Sequence, residues 1–257
     1  MSNDYHPQAR SFPTAQADVS VDAGLRTFML GVYNKMALGL VWSALVAYGV
    51  GAYAPLTQLV FGTPLFFVVQ WGPIALLMFS NLFMRRPSPT GSAVLYWSVV
   101  TLIGAGLGIW VYLALTRTTG QSLGWGTLAP TFSTIAIAFL ATAAAFGGLS
   151  LAGYTTKRNL SGLNSMLIMA VWGLVPIALL NFFFLKSGMF ELIVQSVSVL
   201  LFAVLVATQT NTLREFYYSA REDVRSQAIM TNYGALNLYI AFIAIFQFLL
   251  QLLSSRR

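Results

Sequence analysis

Apolar runs of about 18 to 24 residues recur along this chain, and that is the length a helix needs to cross the hydrocarbon core of a bilayer. A soluble helix or strand alternates apolar and polar positions, and a transmembrane β-strand alternates over about ten residues. Residues 135–149, IAIAFLATAAAFGGL, do neither. Composition closes off the soluble alternative, because 57% of the 257 residues are hydrophobic and 8% are charged, against about 25% charged in a soluble domain. The expected fold class is an all-α membrane protein.

Placing the runs gives seven expected spans at 27–53, 65–84, 92–115, 131–151, 165–185, 190–213 and 232–253. The connections are short, so successive helices pack as antiparallel neighbours. The second span follows a loop holding Pro55 and Pro64, carries Gly72-Pro73 near its middle and stops at Arg85-Arg86-Pro87. Residues 1–26, with Asp4, Asp18, Asp22, Pro7 and Pro13, are too polar to bury and lack the pattern of a signal peptide. They are expected to be a flexible polar tail, leaving 27–257 as the transmembrane domain.

Of the 14 Lys and Arg, ten fall on the side that holds the N-terminus and the 85–91, 153–164 and 214–231 connections. The positive-inside rule then makes that side, and the N-terminus, cytoplasmic. Arg256-Arg257 at the other extreme favours six full spans and a re-entrant last segment instead. Lys35, near the start of the first span, is expected to snorkel toward the interface. The basic excess is scattered between apolar runs, which fits topology signals and not a nucleic-acid surface.

The seven acidic residues are Asp4, Asp18, Asp22, Glu191, Glu215, Glu222 and Asp223, and none falls in the middle of an expected span. An aspartyl intramembrane protease needs two buried carboxylates and is excluded. A retinal protein needs a lysine deep in its last helix, and the final lysine here is Lys186. His6, the single histidine, lies in the tail, and cysteine is absent, so no metal site or histidine base can be drawn. No enzymatic activity, catalytic residue or cofactor is expected. Gly104, Gly106 and Gly108 lie in an apolar run and not between a strand and a helix, so they read as close helix packing, as do Gly147-Gly148.

What remains inside the spans is neutral and polar, including Gln70, Gln195, Ser198, Gln209, Asn211, Asn237 and Gln247. Gln195, Ser198 and Gln209 share one helix face, because fourteen residues bring the last to within about 40° of the first. Such a stripe either hydrogen-bonds between helices or walls a hydrated path.

Residues 146–161, FGGLSLAGYTTKRNLS, resemble the helix 4 exit and following loop of Bax inhibitor-1 proteins. Similar matches appear at residues 32–40 (VYNKMALGL), 84–86 (MRR), 207–217 (ATQTNTLREFY) and 236–243 (LNLYIAFI). Together they cover nearly all of 27–257 and are closest to the bacterial branch of the family. The resemblance implies a seven-helix bundle with the last helix inside a ring of six. It implies residence in a bacterial inner membrane, with the endoplasmic reticulum as the alternative.

It also implies a calcium leak gated by an aspartate pair on helices 6 and 7, with a basic residue closing helix 2. Carried across, those positions are Gln209, Ala241 and Arg85, and a further helix 2 acid falls near Ile74. Both gate carboxylates are replaced, and amide and methyl groups do not titrate. The expectation is a calcium or cation path without its pH sensor, for which Gln209, Ala241, Arg85, Asn211, Gln195 and Asn237 are the candidates. Two other roles stand beside it: a regulatory membrane protein, since the resemblance implies engagement of an AAA protease in some bacteria and stress or cell-death regulation in eukaryotes, and a small-solute transporter built on the Pro73 and Pro176 breaks.

Overall fold

The computed structural model describes residues 14–83, 88–116, 130–156, 160–185, 187–219 and 223–254. Among them the order is α1 (Thr14–Ala52), α2 (Ala54–Phe61), α3 (Leu65–Phe83), α4 (Pro89–Leu115), α5 (Phe132–Thr155), α6 (Ser161–Leu180), α7 (Gly188–Ser219) and α8 (Val224–Ser254). A π-helical turn, Asn181–Leu185, continues α6. Among the described residues six helices are long and apolar enough to cross a membrane, and the bent pair of α2 and α3 makes seven if it is one span.

Each boundary has a local cause. Pro55 has no N–H to give α1's last carbonyls, and Tyr53 is extended, so the helix stops there. Thr57 then donates its hydroxyl to the freed carbonyl of Val50 at 2.6 Å. The segment expected to be a loop around Pro55 is thus the short helix α2, because proline suits a helix's first turn as well as it breaks an interior. A 68° bend separates α2 from α3. Ser88 caps α4 by accepting from the Gly91 amide at 3.0 Å, with Pro89 following it, and Thr131 caps α5 by accepting from Thr134 at 3.2 Å.

α1 starts at Thr14, so its first turns occupy residues where composition alone suggests a tail. Polarity keeps a segment out of the bilayer but does not stop it being helical. Here Leu25, Phe28 and Met29 are buried, and a Cβ on Gly24 would lie 2.1 Å from the Tyr217 hydroxyl, so the start of α1 docks on the end of α7. Residues 1–13 lie outside the described residues.

α8 is the centre. It packs on α1, α4, α5 and α7, and Leu236, Leu238, Tyr239, Ile245 and Leu250 on it are essentially inaccessible. α6, by contrast, is held to the bundle through α7. α1 and α4 pack closely because glycines remove side chains from between them. A Cβ at Gly104 would stand 2.8 Å from Ser43 Cα, and one at Gly108 would stand 2.9 Å from Val50 Cβ. Gly147-Gly148 do not follow the same expectation, since a Cβ at either would meet nothing within 4 Å. The tight contact on α5 is Gly153, whose Cβ would sit 2.2 Å from the Ala207 carbonyl oxygen on α7.

Lys35 reaches a neighbouring helix. Its ammonium donates to the Asn232 side-chain oxygen on α8 and lies 5.6 Å from the Tyr96 ring centroid on α4. Asn232 in turn donates to Pro89 O at 3.0 Å and to Ser92 Oγ at 2.7 Å, and the Tyr96 hydroxyl donates to Lys35 O at 2.7 Å. The cation is used to fasten α1, α4 and α8 at one point.

Candidate functional site

α7 and α8 run antiparallel, with Leu213 against Gly234, the Phe202 and Phe248 rings 5.9 Å apart, and Gln195 against Gln251. This register places Gln209 beside the turn of α8 that contains Ala241. Gln195, Phe202 and Gln209 are spaced by seven residues, so each step returns to within about 20° of the same face of α7. The seam therefore reads polar, aromatic, polar along its length.

At one end of the seam the Gln195 amide donates to Glu191 Oε1 at 2.9 Å and to Gln251 Oε1 at 3.3 Å. Its own carbonyl oxygen is buried without a hydrogen-bond partner among the described residues, and so is the Gln209 carbonyl oxygen. A buried acceptor with no partner costs about 1–3 kcal/mol, and inside a membrane no bulk water relieves it. Ser198, the third member of the expected stripe, is buried and spends its hydroxyl on Val194 O at 2.7 Å.

Next to this seam a cavity of about 370 Å³ opens between α3, α4 and α8, where Gln70, Pro73, Trp110, Gln247 and Gln251 contribute to its wall. Gln251 was not singled out from sequence. The signal was present, because Gln247 and Gln251 are four apart and so stack on one face of α8.

The remaining candidates are placed differently. Ala241 is 1% exposed and belongs to the apolar core. Asn211 is fully buried and spent on backbone: it accepts from the Leu160 amide at 3.1 Å and donates to Gly153 O at 3.4 Å and Thr156 O at 3.3 Å. Beside it Arg214 donates to Tyr154 O at 2.7 Å, and Thr210 meets Ser150 at 3.3 Å. Asn237 is exposed on α8, and Arg85 lies outside the described residues. The structure thus groups Gln195 and Gln209 with Phe202 along one face and gives Asn211 to the α5–α6 connection. No cluster of three or more His, Cys, Asp or Glu able to hold a metal exists among the described residues.

The Asn211 and Gly153 contacts interlock the end of α5 with residues 207–217 of α7. Residues 25–257 match the family model described as inhibitor of apoptosis-promoting Bax1. The chain belongs to the Bax inhibitor-1 family. A protein of Caulobacter vibrioides is 43% identical, with 97% of this chain and 96% of that protein covered. The inner membrane protein YbhL of Escherichia coli is 32% identical over 96% of this chain and 99% of its own length. A Rickettsia prowazekii protein is 29% identical over 96% of this chain and 98% of its own. This Bax inhibitor-1 protein is a multi-pass protein of the bacterial inner membrane.

Proposed function

We propose that the α7–α8 seam is a cation leak path whose gate is apolar and not titratable. Its stations are the amide oxygens of Gln195 with Gln251 at one end and Gln209 at the other, and its constriction is the Phe202–Phe248 pair between them. The observation that carries this reading is the pair of buried, unpartnered amide oxygens at Gln195 and Gln209 on the face of α7 that also bears Phe202. Such oxygens suit a partly dehydrated cation, and the absence of a carboxylate at Gln209 and Ala241 fits weak selectivity for calcium, which takes six to eight oxygens and usually formal charge. An aromatic constriction opens by wetting, so conduction follows rotamer change and not protonation. With the N-terminus cytoplasmic, as the basic connections favour, the Gln70–Gln247–Gln251 cavity lies toward the periplasmic half.

The test is calcium and potassium flux into dye-loaded proteoliposomes. Phe202→Ala should raise the leak about tenfold or more, and Gln209→Leu should lower it below the native rate. Equal rates for the native protein, both variants and protein-free liposomes would remove the path.

A second reading is favoured by α6, which joins the bundle through α7 and exposes Met166, Met169 and Trp172. Under it this face meets a membrane partner such as an AAA protease, and the protein regulates without conducting. Photo-crosslinkers at Met169 and at Leu140 of α5 discriminate: a specific adduct from Met169 alone supports it, and none from either opposes it.

A further inference from the structure

α1 and α5 stand on the same side of α8 and meet through the Tyr33 and Ser150 hydroxyls, without packed faces. The gap between them holds two cavities. One, of about 490 Å³, lies between Arg26, Leu30 and Tyr33 of α1 and Phe146, Gly147 and Tyr154 of α5. The other, of about 400 Å³, continues toward the opposite face of the membrane between Tyr48 of α1 and Phe139 of α5, floored by Phe242 and Phe246 of α8. Gly147 helps to keep the first one open, since nothing stands within 4 Å of where its Cβ would be.

Both cavities are lined mainly by hydrocarbon, and the outer walls face lipid, with Leu30 57% and Leu151 64% exposed. Water does not hold such a space, because an apolar cavity offers it too few hydrogen bonds. Among the described residues Arg26 is the one charged residue in the lining of either cavity, and it is exposed. A second guanidinium, that of Arg214, holds the Tyr154 carbonyl at the same rim. Half of a core about 30 Å thick corresponds to roughly ten residues of helix. An acyl chain whose phosphate sits at Arg26 therefore ends near Met36, filling the first cavity and stopping short of Leu40, where the lining of the second begins.

We propose that the Arg26 end of the α1–α5 gap is a binding site for an anionic glycerophospholipid of the adjacent leaflet. One acyl chain lies against Phe146 and Gly147, and the phosphate is ion-paired with Arg26. The lipid fills the space that the two helices leave unpacked and completes the wall around α8. The site is separate from the α7–α8 seam and stands whether or not that seam conducts.

The full chain, delipidated in detergent, is offered phosphatidylglycerol and phosphatidylcholine in equal amounts, and retained lipid is read by native mass spectrometry. Retention should favour phosphatidylglycerol by a factor of about five, the effect of one arginine at an anionic headgroup. Arg26→Gln should bring the ratio close to one. Gly147→Leu, which fills the cavity, should lower retention of both lipids, whereas Gly148→Leu, equally open but outside the lining, should leave both unchanged. Equal retention of the two lipids by the native chain would overturn the proposal. So would indistinguishable behaviour of the two glycine variants, and a dimer mass without lipid would assign the gap to a second copy. If Gly147→Leu does not fold, the headgroup ratio of Arg26→Gln decides.

Discussion

Two faces of α7 are built from the same kinds of residue and do opposite things. At residues 208–214, Thr208, Thr210, Asn211 and Arg214 are engaged with backbone or with a neighbouring hydroxyl, and Asn211 alone makes three bonds to the α5–α6 connection. On the face that bears Gln195 and Gln209 the two amide oxygens are buried with no partner among the described residues, and Gln195 bonds Gln251, which lines a cavity of about 370 Å³. Polar residues in a membrane helix are costly unless used. The Asn211 face uses them as a staple that fixes where α5 stops and α6 starts. The other leaves acceptors free, which is what a path requires and a staple does not.

This contrast can be broken most severely at Gly153. Gly153→Ala places a methyl 2.2 Å from the Ala207 carbonyl oxygen, which is backbone and cannot rotate away. It should cost on the order of 3 kcal/mol or more, read as a lower unfolding temperature or loss of folded protein in detergent. Gly147→Ala on the same helix meets nothing and should be neutral or stabilising by up to about 1 kcal/mol.

Asn211→Leu comes next, because it strands the Leu160 amide and the Gly153 and Thr156 carbonyls. A cost of about 3 kcal/mol is expected, with faster proteolysis at residues 153–164. Gln209→Leu, which removes an unpartnered acceptor, should not destabilise the chain and should recover up to the roughly 1–3 kcal/mol that the buried oxygen costs. Equal losses from these two substitutions would erase the distinction between the two faces.

The smallest effect concerns pH. Asp223 precedes α8 and accepts from the Ser226 hydroxyl and from the Arg225 amide at 3.0 Å, and these bonds hold its carboxyl below the usual aspartate range. Its contribution is therefore present above about pH 4, the ordinary aspartate value, and is lost as the pH falls through the lowered folded value. Asp223→Asn should loosen the start of α8 at pH 7 and match the native chain in strong acid, read by amide hydrogen exchange over the first turn. Exchange around Asn211 should not follow this pH dependence, since its amide does not titrate.

Much of this fold was legible because a membrane span is a long, one-dimensional signal: the runs at 92–115, 131–151, 190–213 and 232–253 all reappear as helices, with ends that differ by up to eight residues. What was not legible depends on a partner. Gly147-Gly148 and Gly153 look alike in sequence, and only the position of Ala207 separates open space from contact. Lys35 could be placed near a helix start but not turned toward Asn232. Pro55 signals a break, yet the helix it begins depends on Thr57 closing the α1 carbonyls. The polar face of Gln195 and Gln209 followed from periodicity, whereas the commitment of Asn211 to the α5–α6 connection required the tertiary fold.

The central claim is that the seam conducts through neutral oxygens past an aromatic gate. The most direct measurement is calcium flux in proteoliposomes from about pH 5 to 8, comparing the native chain with a variant carrying both Gln209→Asp and Ala241→Asp. The account predicts a native leak that is flat with pH and a double variant whose leak varies with pH, because two facing carboxylates titrate as a coupled pair. A native leak that itself varies with pH, or no flux from either protein, would contradict it.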